Sequence, residues 1–318
     1  MQDKLIARAK ELLAEGKVQK VVGWKKGLFE DDITPAVFNS AEELDKDFVF
    51  NKFCKANLSK YLVKITREIE VAKSTTRMNN TMAKQRDPNA QDKPIPQATV
   101  LVFLKPSDTY SFTQLLKENR ITRGDVYAIG VPCQDTLDGG EVCDNCKNKK
   151  PVSCDELIGI EADVEAVEST RMAEVEKLEH MTADERDAFW KNEFSRCLRC
   201  NACRDICPAC TCEKCVFDNN KLYTSQKVAE TNFEESLFHI IRAWHVAGRC
   251  TDCGECSRVC PQHIPLYLLN RKFIKDINEI YGEYQAGSDM ETKPAMLTFN
   301  AEGDPETTIV YDRSHDKE

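Results

Sequence analysis

Two copies of one cysteine pattern constrain this chain more than any other feature. Cys197, Cys200, Cys203 and Cys207 are spaced C-x2-C-x2-C-x3-C, with Pro208 following. Cys250, Cys253, Cys256 and Cys260 repeat that spacing, with Pro261 following. Two-residue gaps let one tight loop aim three thiolates at three corners of a cube, and the proline closes the turn without adding a backbone donor. The chain has sixteen cysteines in 318 residues, whereas disulfide frameworks belong to small secreted chains. In a reducing compartment, clustered cysteines bind metal or do redox chemistry. The repeats therefore predict two 4Fe–4S sites. Zinc also uses C-x2-C pairs, but seldom four evenly packed cysteines plus proline, twice over.

The spacing resembles that of bacterial ferredoxins. That resemblance implies crossed ligation, with Cys197, Cys200, Cys203 and Cys260 holding one cluster and Cys250, Cys253, Cys256 and Cys207 the other. The residues between Cys207 and Cys250 read as helix. About residues 190–275 thus resemble the α-helical ferredoxin domain of succinate dehydrogenase iron–sulfur subunits and heterodisulfide reductase small subunits.

The first half reads as α/β. Leu5, Ile6, Ala9, Leu12 and Leu13 share a helical face that stops at Gly16, and Val18–Trp24 reads as a strand. A helix is expected over Phe48–Ile69, and residues 72–98, with their asparagines and prolines, read as a loop. Thr99–Lys105, Phe112–Asn119 and Asp125–Val131 form a strand–helix–strand unit. Further on, Thr182 and Glu185 form a capping box, and another helix covers about Phe233–Ala247.

Eight cysteines lie outside the twin motifs. Cys133, Cys143, Cys146 and Cys154 can close a third cubane, with zinc or reduced thiols as alternatives. Cys210, Cys212 and Cys215 are one ligand short of a site. Cys54 and Cys154 are the candidates for the vacant positions, and zinc is a fair occupant of the Cys210–Cys215 group. His239 and His245 read as packing or surface residues, because cubanes with histidine are a minority.

Lys105-Pro106-Ser107-Asp108, Ile129-Gly130-Val131-Pro132-Cys133, the pair Cys143 and Cys146, and Cys54 in its Phe-Cys-Lys-Ala-Asn-Leu context resemble the β subunits of deazaflavin (coenzyme F-420)-reducing hydrogenases and formate dehydrogenases. Ser107 stands where that motif has cysteine. The resemblance covers about residues 18–160 and implies FAD and one 4Fe–4S cluster, with Gly23, Gly27, Lys105 and Asp108 as candidate flavin contacts.

The expected organisation is an α/β domain over 1–160 with a 4Fe–4S site, a charged helical connector over 161–190, an α-helical dicluster domain over 191–285 and an acidic extended tail over 286–318. A net charge of -9 argues against nucleic acid or anionic lipid as partner. No stretch is apolar enough for a signal peptide or membrane span, so a soluble cytoplasmic protein is expected. With no GxGxxG or Walker A pattern, the favoured reading is an electron-relay subunit of an anaerobic oxidoreductase complex rather than a stand-alone catalyst. Its partners would be the other subunits or a soluble ferredoxin. The alternatives are an FAD-bearing subunit that exchanges hydride, or a zinc-stabilised scaffold.

Overall fold

The computed structural model describes residues 1–133, 150–159, 170–218 and 231–294. Helix α1 (Gln2–Ala14) buries Leu5, Ala9 and Leu12 on the expected face and ends before Gly16. Strand β1 (Lys20–Lys26) turns into an antiparallel edge strand, β2 (Ile33–Phe38), followed by α2 (Ala41–Asp47). Neither β2 nor α2 is evident from apolar periodicity. Pro35 is tolerated because β2 lies at the sheet edge, and α2 begins where the Ser40 side chain accepts from Glu43 N–H.

Helix α3 (Ser59–Arg86) corrects two expectations. It starts well after Phe48, because residues 49–58 form an irregular segment that carries buried Cys54. It also continues through residues 72–86, read above as a loop. Those residues have little apolar pattern, but their Ala, Lys, Arg, Met and Gln are strong helix formers. The stop comes at Asp87, extended at φ -139 and ψ 108, as the residue before Pro88 favours.

Strand β3 (Val100–Leu104), helix α4 (Pro106–Lys117) and strand β4 (Val126–Gly130) form the expected unit, with β3 and β4 parallel. A short β5 (Glu156–Leu157) extends the sheet to the order β2-β1-β3-β4-β5. All five residues of β3 are buried, which explains its unbroken apolar run: a parallel strand covered on both faces has no polar side to show.

The C-terminal half is helical. Helices α5 (Ala173–His180) and α6 (Ala183–Phe194) are joined by the expected Thr182–Glu185 capping box. A short α7 (Ala202–Asp205) lies in the first cysteine motif. Helix α8 (Asn232–His245) opens on a second capping box, Thr231 with Glu234. A short α9 (Glu255–Arg258) lies in the second motif, and α10 (Leu266–Tyr281) follows. Of the acidic extended tail expected over 286–318, residues 286–294 are described and contain turns and bends without helix or strand, while 295–318 fall outside the described residues.

The two halves meet along α4. Ser111 Oγ lies 2.8 Å from Thr251 Oγ1, Asn57 Nδ2 donates to Ser111 Oγ at 3.0 Å, and Arg249 Nε donates to Glu118 Oε1 at 2.7 Å. Lys60 Nζ also reaches the Cys210 carbonyl. The second cysteine motif is therefore seated directly on the α/β domain.

Candidate metal centres

The twin motifs fold as the same loop twice. In the first, Arg199 (φ 49) and Asn201 (φ 63) take the left-handed conformation; in the second, Asp252 (φ 59) and Gly254 (φ 73) do so at the matching positions. Each loop then enters its short helix, α7 or α9. Left-handed residues separated by residues of negative φ turn backbone N–H groups towards one concavity, which suits an anionic occupant. Arg199 N–H, for example, points at Cys197 Sγ at 3.3 Å.

Left-handed backbone is costly for arginine and aspartate, and each is fixed by a buried partner of opposite charge. Arg199 donates from Nε to Glu235 Oε1 at 3.1 Å and from Nη2 to Oε2 at 3.0 Å, with Glu235 on α8. Asp252 accepts from Arg271 Nε on α10 at 2.8 and 3.0 Å, and from Arg171 Nη1 at 3.4 Å. Arg271 is 1% and Asp252 5% exposed, so neither charge can fall back on water. Asp252→Asn keeps the shape but takes the carboxylate away from Arg271. It is expected to cost about 1.5–3 kcal/mol in denaturant unfolding, whereas exposed Asp187→Ala costs under ~1 kcal/mol.

The fourth cysteines cross. One cavity is lined by Cys197, Cys200, Cys203 and Cys260. A second is lined by Cys250, Cys253 and Cys207, and Cys207 also acts on Cys256. Cys203 and Cys256, both buried, share a small core with Phe194, Ile264 and Leu266, so the two sites stand back to back. Burial pushes the thiols of Cys203 up to about 11 and Cys197 up to about 12, and raises those of Cys250, Cys253 and Cys256 as well. Ligation would therefore release protons.

Beside the first site, His239 stacks on Phe194 with ring centroids 4.5 Å apart, and its Nε2 is 3.4 Å from Glu235 Oε1. Burial opposes ionisation of Glu235, but the His239 and Arg199 contacts outweigh it and hold the carboxyl down at about 2. Cys197, Glu235 and His239 bring their ligating atoms within 4.8 Å of one another, the one such trio among the described residues. No three of the motif cysteines crowd to that distance of one another. A single zinc ion requires crowding, since its Zn–S bonds are about 2.3 Å, whereas a cubane spreads its thiolates. The donor set fits two cubanes.

The other described cysteines lie in separate parts of the fold. Cys54 is buried in the α/β core; its sulfur accepts from Asn51 N–H at 3.3 Å and lies 3.5 Å from the Val49 carbonyl. Cys133 follows β4 and Cys154 precedes β5, so both flank the sheet edge, while Cys143 and Cys146 lie outside the described residues. Cys210, Cys212 and Cys215 follow the first motif; burial pushes Cys210 up to about 11, and Cys212 is exposed.

The four candidate flavin contacts are engaged in packing and bonding. A Cβ on Gly23 would sit 2.7 Å from the Phe48 ring, and one on Gly27 1.9 Å from Asp32 Oδ2. Lys105 and Asp108 are fully buried, 3.5 Å apart. None of the four lines the two cysteine cavities. Residues that spacing did not single out, namely Arg199, Glu235, Arg242, Asp252 and Arg271, build the surroundings of the sites. Two of them stand within the motif gaps, where a ligand pattern gives no weight to the intervening side chains.

Residues 193–264 match the 4Fe-4S dicluster domain family. That match covers the helical region carrying both cysteine motifs, and an α/β domain precedes it. Over part of its length the chain is homologous to the β subunits of deazaflavin-linked formate dehydrogenases. It is 34% identical over 106 residues to the F420-dependent formate dehydrogenase subunit beta of Methanocaldococcus jannaschii, covering 33% of this chain and 27% of that protein. The corresponding figures for the F420-dependent formate dehydrogenase 1 subunit beta of Methanococcus maripaludis are 31% over 107 residues, 34% and 26%. YgfK of Escherichia coli K12 is 31% identical over 85 residues, 26% of this chain and 7% of that protein. The chain spans about a quarter of the length of the formate dehydrogenase relatives it matches. No helix among the described residues is long and apolar enough to cross a membrane.

Proposed function

We propose that this chain is an electron-relay subunit of a multisubunit oxidoreductase, of the formate dehydrogenase or hydrogenase type. Two 4Fe–4S clusters would be held by Cys197, Cys200, Cys203 and Cys260 and by Cys250, Cys253, Cys256 and Cys207. The observation that carries this reading is the pair of matching concave loops with crossed fourth cysteines, backed against each other at Cys203 and Cys256. When bound, the clusters supply one-electron storage at fixed positions. The protein holds the thiolates, covers them with apolar side chains and keeps the two sites adjacent. In this reading, 1–160 forms the α/β domain, 161–190 a connector, 191–285 the dicluster domain and 286–318 an acidic tail. The second motif's seat on α4 makes the α/β domain the neighbour of the second cluster, and exposed Cys200 brings the first cluster close to solvent and to a docking subunit.

The test is iron, sulfide, zinc and FAD content per chain after anaerobic purification. About eight irons, matched by sulfide and without zinc, are expected from the two sites. About twelve to sixteen would add the Cys133–Cys154 group, the Cys210–Cys215 group, or both. FAD at one per chain would move the α/β domain to the hydride-exchanging reading, and two zincs without iron would overturn the relay.

A further inference from the structure

Arg242, on α8, is 3% exposed and stands between the two motifs. Its Nη2 donates to the Cys203 carbonyl of the first motif at 2.7 Å. Cys203 packs with Cys256 of the second motif in one small buried core, and the buried guanidinium acts electrostatically on the thiols of Cys203, Cys256, Cys207 and Cys210. Its Nε is buried without a hydrogen-bond partner. The other buried arginines near these loops, Arg199, Arg171 and Arg271, each have a carboxylate. No carboxylate pairs with Arg242 among the described residues.

A buried cation without a counter-charge is strongly destabilising. The groups around Arg242 that become negative are the thiolates of both sites and whatever they hold, and a 4Fe–4S cluster with four thiolates is an anion in either working oxidation state. We infer that Arg242 is the counter-charge shared by the two clusters, a positioning residue that sets both reduction potentials together. Reduction adds one negative charge to a cluster, and a fixed cation beside it favours that form. Charge and hydrogen bonds to sulfur are among the means by which proteins move cluster potentials. Because the same guanidinium is held at Cys203, which packs against Cys256 between the sites, it raises both potentials.

This inference rests on the two-cluster reading, so iron and sulfide in the wild-type chain are measured first and test that reading separately. Anaerobic redox titration followed by electron paramagnetic resonance then compares wild type with Arg242→Gln and Arg242→Lys in the full chain. Arg242→Gln is expected to retain its iron and shift both midpoints negative. The expected size is about a tenfold change in each reduction equilibrium, or ~59 mV for a one-electron couple. Arg242→Lys is expected to return both midpoints most of the way. Iron retained with neither midpoint moved, or only one, overturns the inference. Should Arg242→Gln shed its iron, Arg242→Lys decides: iron retained with midpoints near wild type supports the shared charge, and iron lost from both variants overturns it.

Discussion

Cys260→Ala is expected to remove the cluster built by the first motif, although Cys260 belongs to the second. Iron should fall from about eight to about four per chain, with one paramagnetic signal lost and the other kept. The reason is the crossed lining of the cavities: Cys260 completes the set of Cys197, Cys200 and Cys203, while Cys207 stands with Cys250 and Cys253. Pairs of substitutions give the sharper result. Cys260→Ala with Cys197→Ala strikes one site twice and should leave about four irons, whereas Cys260→Ala with Cys250→Ala strikes both and should leave almost none. If each motif instead held its own cluster, those outcomes would be exchanged. Iron analysis and electron paramagnetic resonance on the three variants settle the arrangement.

The ligand spacing was legible because cluster geometry acts on local sequence. Three cysteines separated by two residues can serve one concave loop and little else, so the pattern survives without knowledge of the fold. The βαβ unit was legible for a similar reason, since a parallel strand buried on both faces must read like Val100–Leu104. The surroundings of the sites were not legible. Glu235 reaches Arg199 from thirty-six residues away, and Arg271 reaches Asp252 from nineteen; such pairings are set by how α8 and α10 pack. Helix α3 beyond Ala72 was missed because it presents little apolar face to detect, and propensity had to carry the signal alone. Lys105 and Asp108 belonged to a recognisable motif, but a motif does not say whether its polar groups face a ligand or the protein's own backbone.

Lys105→Met is expected to cost about 3–5 kcal/mol at pH 7.5, read as a lowered unfolding midpoint in denaturant. The buried ammonium donates to the carbonyls of Cys54 at 3.0 Å, Lys55 at 2.7 Å and Ala56 at 3.3 Å. It also lies 5.4 Å from the Trp24 ring centroid and faces Asp108 Oδ2. Methionine fits the space but leaves those carbonyls and Asp108 without their cation. Burial pushes Asp108 up to about 6 against the opposing pull of Lys105, with Glu255 raising it and Arg258 lowering it from the second motif. A carboxyl raised in this way binds its proton more tightly folded than unfolded. Its contribution to stability is full below the unfolded value of about 4 and is lost as pH rises through about 6. Without Lys105 the folded-state value climbs further and the loss extends to higher pH. The Lys105→Met deficit should therefore be smallest near pH 5, grow through neutrality, and become flat with pH when Asp108→Asn is added. A deficit that does not change with pH in the single variant would mean that Lys105 acts through the three carbonyls alone, with no share from the buried ion pair.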